Sequence, residues 1–117
     1  MALFIAYPPC STCQKARKWL QDAGIAFEER NIKTQPPTAG ELAQWQKISG
    51  LALKKFFNTS GMLYRSLGLK DKLPDMGEQE QVELLASDGM LVKRPIVIQG
   101  DTVLVGFKPQ QWEALKK

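Results

Sequence analysis

The sequence predicts an α/β (α+β) domain: a mixed four-stranded sheet flanked by helices, with a helical insertion between a β-α-β half and a β-β-α half. Three observations carry this expectation. An apolar run, Leu3 to Tyr7, leads through Pro8-Pro9 into Cys10-Ser11-Thr12-Cys13 and a helical pattern. A second apolar run, Ile96-Val97-Ile98, follows Pro95 and turns at Gly100-Asp101 into Thr102 to Val105, which reads as a hairpin. Between them lie roughly 60 residues of helical pattern.

Each element has its own local signal. Leu3 to Tyr7 reads as a buried strand closed by two prolines. Ser11 with Gln14 fits a capping box, and Ala16, Trp19, Leu20 and Ala23 fall on one helical face before Gly24. Ile25 to Ile32 alternates loosely and reads as the second strand. Thr38 with Glu41 is a second capping box, followed by Leu42, Trp45 and Ile48 as an apolar face, and Ser49-Gly50 as a stop. Leu51 to Phe57 and Met62 to Leu67 read as short helical pieces around the turn Asn58-Thr59-Ser60-Gly61. Glu78 to Ser87 is a helix with acids in its first turn and Val82, Leu85 and Ala86 inward. Pro109 opens a last helix through Trp112 and Leu115. Trp45 and Trp112 are expected in the core rather than at an interface.

The chain of 117 residues is read as one domain, 1–117, with the insertion at about 36–90. A hydrophobic fraction of 44% and a charged fraction of 24% fit a globular protein and argue against disorder. Sixteen basic and 12 acidic residues give a formal charge of +4. The basic residues are scattered, so direct nucleic-acid binding is not expected. No run approaches the roughly 20 apolar residues of a membrane span, and no targeting segment is visible. A cytoplasmic monomer is expected.

The sequence has no histidine and two cysteines. That excludes Ser-His-Asp and Cys-His catalysis within the chain, and every zinc site built on imidazole. Two cysteines cannot supply a four-thiolate metal site. Any nucleophile must be activated by burial, a helix terminus or a cation. Both cysteines sit in one Cys-x-x-Cys. In a reducing compartment such a pair is redox-active more often than it is a permanent cross-link. Cys10 should open a helix, where unpaired N–H groups and the macrodipole favour an anion. That setting lowers a thiol pKa from about 8.5 into a range of about 3.5–7.5. Lys15, Arg17 and Lys18 add positive charge nearby. Cys10 is therefore the expected attacking thiol and Cys13 the resolving one. Strand, Cys-x-x-Cys, helix and strand, joined later by a hairpin and helix, is how a thioredoxin-like sheet is built. Arg94, ahead of Pro95, can offer a guanidinium fork to an oxyanion or carboxylate.

Several motifs in order resemble one family over essentially the whole chain. They are Tyr7-Pro8-Pro9-Cys10-Ser11-Thr12-Cys13-Gln14-Lys15-Ala16, Phe56-Phe57-Asn58-Thr59-Ser60-Gly61, Leu84 to Leu91, Lys93-Arg94-Pro95-Ile96 and Val105-Gly106-Phe107. They are similar to the ArsC family, the arsenate reductase-like, thioredoxin-fold group that includes the Spx/MgsR transcription regulators. The resemblance implies a cis proline at Pro95, opposite the cysteine loop, that leaves adjoining backbone free for an incoming chain. It also implies that Cys10 matches the nucleophile of the glutaredoxin-coupled arsenate reductases. Of their arginines only Arg94 is retained. Gln14 stands at the early arginine, Asn58 at that of the insertion and Lys108 at the last. Cys13 stands where those reductases have serine. Lost planar forks weaken oxyanion selection, because lysine does not replace a bidentate arginine.

Three functions follow from residues and resemblance. The leading one is a small cytoplasmic thiol–disulfide oxidoreductase, with Cys10 and Cys13 catalytic and Arg94, Pro95, Ser11, Thr12, Asn58 and Lys108 around the substrate. It binds no cofactor or metal, and glutathione, glutaredoxin or thioredoxin serves as reductant. Its partner is a thiol or disulfide substrate or a redox protein. The first alternative is an Spx/MgsR-type redox-sensing regulator that touches the RNA polymerase α subunit. The second is a glutathione- or glutaredoxin-dependent arsenate reductase.

Overall fold

The structure is a computed structural model and describes residues 1–116. Four strands form one sheet: β1 (Ala2–Ala6), β2 (Phe27–Asn31), β3 (Ile96–Gln99) and β4 (Thr102–Val105), in the order β2-β1-β3-β4. β1 runs parallel to β2, with Ala2 opposite Phe27 and Ala6 opposite Asn31. β3 is antiparallel to β1 and to β4. This is the thioredoxin-like mixed sheet that the sequence predicts. β1 is central and almost wholly buried, which is why its residues are apolar without alternation. β2 is an edge strand and carries Glu28, Glu29 and Arg30.

The chain divides into two compact units. One comprises Met1–Asn31 with Arg94–Lys117, and the other is Ile32–Lys93. The first contains the whole sheet. Helix α1 (Ser11–Asp22) buries Cys13, Ala16 and Leu20 in a cluster with Ala2, Phe4, Ala6 and Val97. The last helix, Pro109–Trp112, continues as a 3-10 turn over Glu113–Lys116 and adds Trp112 and Leu115 to the cluster. Trp112 is fully buried, edge-on to Phe4, Trp19 and Phe107. Its indole N–H donates to the Gly106 carbonyl at 3.1 Å, which satisfies its one polar atom.

The second unit is helical. α2 (Ala39–Ser49) begins at a complete capping box, with the Glu41 N–H donating to the Thr38 hydroxyl and the Thr38 N–H to the Glu41 carboxylate. It ends at Gly50, whose φ of 69° is the left-handed cap that glycine accepts without strain. A 3-10 turn spans Leu53–Phe56. Then come α3 (Met62–Ser66), α4 (Leu69–Lys72), a 3-10 turn at Leu73–Asp75 and α5 (Glu78–Ser87). α2 and α5 pack on each other through Leu42, Trp45, Val82 and Leu85. Ile48, expected on the buried face of α2, is 36% exposed and sits at the end of that stripe. Trp45, like Trp112, is in the core. Gly89 lies against the Ile32 carbonyl, so close that a Cβ there would overlap the oxygen. Among the described residues, no helix is long and apolar enough to cross a membrane.

The expected capping box at Ser11 and Gln14 does not form. The N-cap of α1 is Cys10, one residue earlier, and the Gln14 amide donates instead to the Pro8 carbonyl at 3.1 Å. Pro8 and Pro9 form a turn closed by the Cys10 N–H on the Tyr7 carbonyl. Cys10 leaves that turn in extended geometry as the N-cap, and Ser11, already helical, cannot serve as the cap.

Candidate active site

The site is assembled at the C-terminal end of β1, where Tyr7, Pro8 and Pro9 lead the chain into α1. Cys10 caps the helix in extended geometry, with φ −74° and ψ 122°. Its N–H donates to the Tyr7 carbonyl at 2.9 Å, and its own carbonyl accepts the first intrahelical bond from Gln14. Cys10 is half-buried and Cys13 is buried, and both are free thiols. Cys13 sits at the third helical position, so its N–H and its side chain turn back toward the capping residue.

The two thiols are driven apart. Burial pushes the Cys10 thiol up, but the Cys13 N–H, the Cys13 thiol, the Thr12 N–H and the charge of Arg94 together bring it below its ordinary value of 9.0. None of these N–H groups closes a full capping hydrogen bond on the sulfur, so they act as directed partial charges. Burial dominates at Cys13. It outweighs the Tyr7 N–H, which points at the sulfur at 3.5 Å, and with the hydrogen bond and charge of Cys10 pushes this thiol up to about 12. At neutral pH Cys13 is a thiol that hydrogen-bonds the Cys10 sulfur, and Cys10 carries the nucleophilic tendency.

The cation beside the pair is Arg94. Its guanidinium carbon lies 5.1 Å from the centroid of the Tyr7 ring, in cation–π geometry. The bond from Arg94 to Pro95 is cis, and the Pro95 carbonyl accepts from the Gly106 N–H at 2.7 Å. Two basic residues of α1 have carboxylate partners. Lys18 pairs with Asp22, and Arg17 forms a two-pronged bond to Glu29 of β2 at 2.7 and 2.6 Å. Arg17 still senses the Cys13 charge, though its main partner is Glu29.

The first unit thus brings together Cys10, Ser11, Thr12, Cys13, Arg94 and Pro95. Ser11 and Thr12 are exposed on the first turn of α1. Lys108 belongs to the same unit as the exposed N-cap of the last helix, with its carbonyl taken by the Gln111 and Trp112 N–H groups. Asn58 belongs to the helical unit. Its N–H donates to Leu91, its carbonyl accepts from Gly61, and its side chain accepts from Ser60 at 3.4 Å. Gly61 rather than Asn58, Thr59 or Ser60 is the N-cap of α3. A cavity of about 320 Å³ in the helical unit, floored by Leu53, Tyr64 and Leu73, includes none of these candidates. Tyr7 was absent from the residues that the sequence pointed to. The available signal was an aromatic residue directly before a Pro-Pro-Cys loop.

A model of the ArsC family matches residues 5–115. The chain belongs to the ArsC family. It is 57% identical over 110 residues to the protein YusI of Bacillus subtilis, covering 94% of this chain and 93% of that one. It is similar at 47% identity to a solved structure from Streptococcus mutans described as a possible arsenate reductase, with a TM-score of 0.87 and 92% of each chain covered. It is also 28% identical over 114 residues to the regulatory protein MgsR of Bacillus subtilis, covering 97% of this chain and 89% of MgsR. The ArsC family therefore brings reductase-like and regulator relatives to one fold. What separates them must be read from individual side chains.

Proposed function

We propose that this ArsC-family protein is a thiol–disulfide oxidoreductase in which Cys10 attacks and Cys13 resolves. The observation that carries the reading is the asymmetry of the pair: a half-exposed, helix-capping Cys10 held below the ordinary thiol value beside a buried, protonated Cys13. Such a pair suits a two-step exchange. The Cys10 thiolate attacks one sulfur of a substrate disulfide. A mixed disulfide forms at Cys10, and the other substrate sulfur leaves as a thiolate and takes a proton. Cys10 is then neutral, so its charge and hydrogen bond no longer hold the proton on Cys13, while the Tyr7 N–H and Arg94 still favour the anion there. Cys13 loses its proton and attacks the Cys10 sulfur. The second substrate thiolate leaves, and the protein carries the Cys10–Cys13 disulfide. Two external thiol groups, from two glutathione molecules or from a dithiol of the glutaredoxin or thioredoxin class, supply two electrons and two protons, become a disulfide themselves and restore the dithiol.

The arginine inventory argues against arsenate as the principal substrate. Arg94 is the one retained arginine, the Gln14 amide is engaged on the Pro8 carbonyl, and Lys108 offers an ammonium group in place of a planar fork. A tetrahedral oxyanion is best held by several planar forks. The test is turnover of glutathione mixed disulfides and of arsenate by the wild type, Cys10→Ser and Cys13→Ser. Mixed-disulfide reduction should vanish in Cys10→Ser and persist only by a monothiol route in Cys13→Ser. Equal residual activity in both variants would contradict the assignment of roles.

A second reading rests on the similarity to MgsR. In it the same pair is a sensor, and its oxidation alters the surface around the start of α1 that meets a protein partner, by resemblance the RNA polymerase α subunit. No turnover with any substrate, together with direct binding of purified polymerase α subunit that depends on the state of the cysteines, would favour this reading over the first.

A further inference from the structure

Tyr7 touches the cysteine site through three different atoms. Its carbonyl accepts the Cys10 N–H at 2.9 Å. Its N–H points at the Cys13 sulfur at 3.5 Å. Its ring lies under the Arg94 guanidinium at 5.1 Å. The backbone of this one residue is therefore pinned to both cysteines, while its side chain carries the cation that acts on both. The ring is half-buried, on the last position before the two prolines. Pro8 and Pro9 restrict the backbone around it, which steadies the base from which the ring projects.

We propose that Tyr7 is a positioning residue of the thiol site: its ring is a shelf that holds the Arg94 guanidinium toward the Cys10–Cys13 pair. This deepens the oxidoreductase reading and rests on it. A guanidinium sits on a long side chain with many rotamers, and each contact that narrows them concentrates its charge in one direction. An aromatic face favours the cation electrostatically and by stacking, and leaves the edge N–H groups available. The shelf thus biases a mobile charge toward one place. The charged and titratable groups acting on the pair include Arg94 and the two thiols on each other, and Arg17, on its Glu29 anchor, feels the charge of Cys13. Tyr7 bears on Arg94 and on both thiols. The same contact gives Arg94 a role distinct from gripping an oxyanion, because a guanidinium laid over a ring face is oriented by that ring.

The experiment measures the pH dependence of Cys10 alkylation in the full-length protein, with wild type, Tyr7→Phe, Tyr7→Leu, Arg94→Gln and the Tyr7→Leu/Arg94→Gln double variant. Folding is checked by circular dichroism. Tyr7→Phe keeps the ring and should retain the wild-type profile. Tyr7→Leu should move the profile to higher pH and slow alkylation at neutral pH by about twofold to fivefold. In the Arg94→Gln background the same change should have little further effect, because the ring acts through the arginine. A wild-type profile in Tyr7→Leu overturns the proposal. So does an undiminished Tyr7→Leu effect in the Arg94→Gln background, which would mean that the leucine merely disturbs the loop. A wild-type Cys10 that titrates like an ordinary thiol overturns the oxidoreductase reading and this inference with it, an outcome distinct from the other two.

Discussion

Cys10 and Cys13 share one helical turn; hydrogen bonds and charge overcome burial to hold the first below the ordinary thiol value, while burial, with the hydrogen bond and charge of Cys10, pushes the second to about 12. The separation is reciprocal in part. The Cys13 thiol stabilises the Cys10 anion by hydrogen bonding, and that anion is one of the influences that keep Cys13 protonated. Alkylation followed by mass spectrometry should therefore modify Cys10 first, at pH values below those of an ordinary thiol. Cys13 should stay unmodified in the folded protein well above that pH. Cys13→Ala should raise the pH at which Cys10 reacts, since it removes the hydrogen bond. Simultaneous modification of both sulfurs would count against the asymmetry.

The raised Cys13 value also predicts how stability changes with alkaline pH. The unfolded thiol loses its proton near 9.0, whereas the folded one holds it up to about 12. Between these values the folded state binds the extra proton, so stability falls as pH rises. This contribution is fully present below 9 and lost as pH passes 12. Denaturant titrations at about pH 8 and about pH 11 should show a smaller drop in unfolding free energy for Cys13→Ala than for the wild type. Equal drops would mean that Cys13 titrates alike in both states.

The fork from Arg17 to Glu29 ties α1 to β2 with two short, partly shielded hydrogen bonds. Arg17→Gln should cost about 1 kcal/mol of stability, and Arg17→Lys nearly as much, because an ammonium group cannot supply the second prong. With Glu29→Gln added, the combined loss should be less than the sum of the single losses. Additive losses would show that the pair does not act as a unit.

Two glycines should respond to alanine in opposite directions. At Gly89 the new methyl would collide with the Ile32 carbonyl, and the obstacle is backbone. Gly89→Ala should destabilise by about 3 kcal/mol or more. Gly40 lies in the first turn of α2 with open space around it, its nearest neighbour being the Thr38 hydroxyl at 3.9 Å. Gly40→Ala should stabilise by about 0.5 kcal/mol through helix propensity. Thermal unfolding of the two variants decides both.

Much of this was legible in the sequence where the signal is local. Glu78–Ser87 and Thr102–Val105 match the elements expected for them, because acids in a first turn and a Gly-Asp turn act over a few residues. The Thr38–Glu41 box was readable for the same reason, and so was the order of the strands and helices. α4 at Leu69–Lys72 and the turn at Leu73–Asp75 were not, being shorter than the window in which helical periodicity can be counted. The Ser11–Gln14 pair matched a pattern, but the Pro-Pro turn delivers Cys10 to the N-cap position and leaves Ser11 inside the helix. At the site, Cys10, Cys13 and Arg94 stood out by residue type. The contact of Tyr7 with Arg94 did not, since only the folded sheet brings β1 beside the start of β3. The carboxylate partners of two of the nearby cations were equally hidden: Glu29 takes Arg17, which still feels the charge of Cys13, and Asp22 takes Lys18.

The strand order leaves the sheet with two unlike margins. β2 presents Glu28, Glu29 and Arg30, and charge along a rim discourages another copy from adding a strand there. β4 presents Thr-Val-Leu-Val, a sticky sequence, but only four residues of it before Gly106 turns away with φ 80°. Brevity and a bend thus guard one margin and charge the other. Lengthening the β4 hairpin or neutralising β2 would be the changes that invite self-association of the chain.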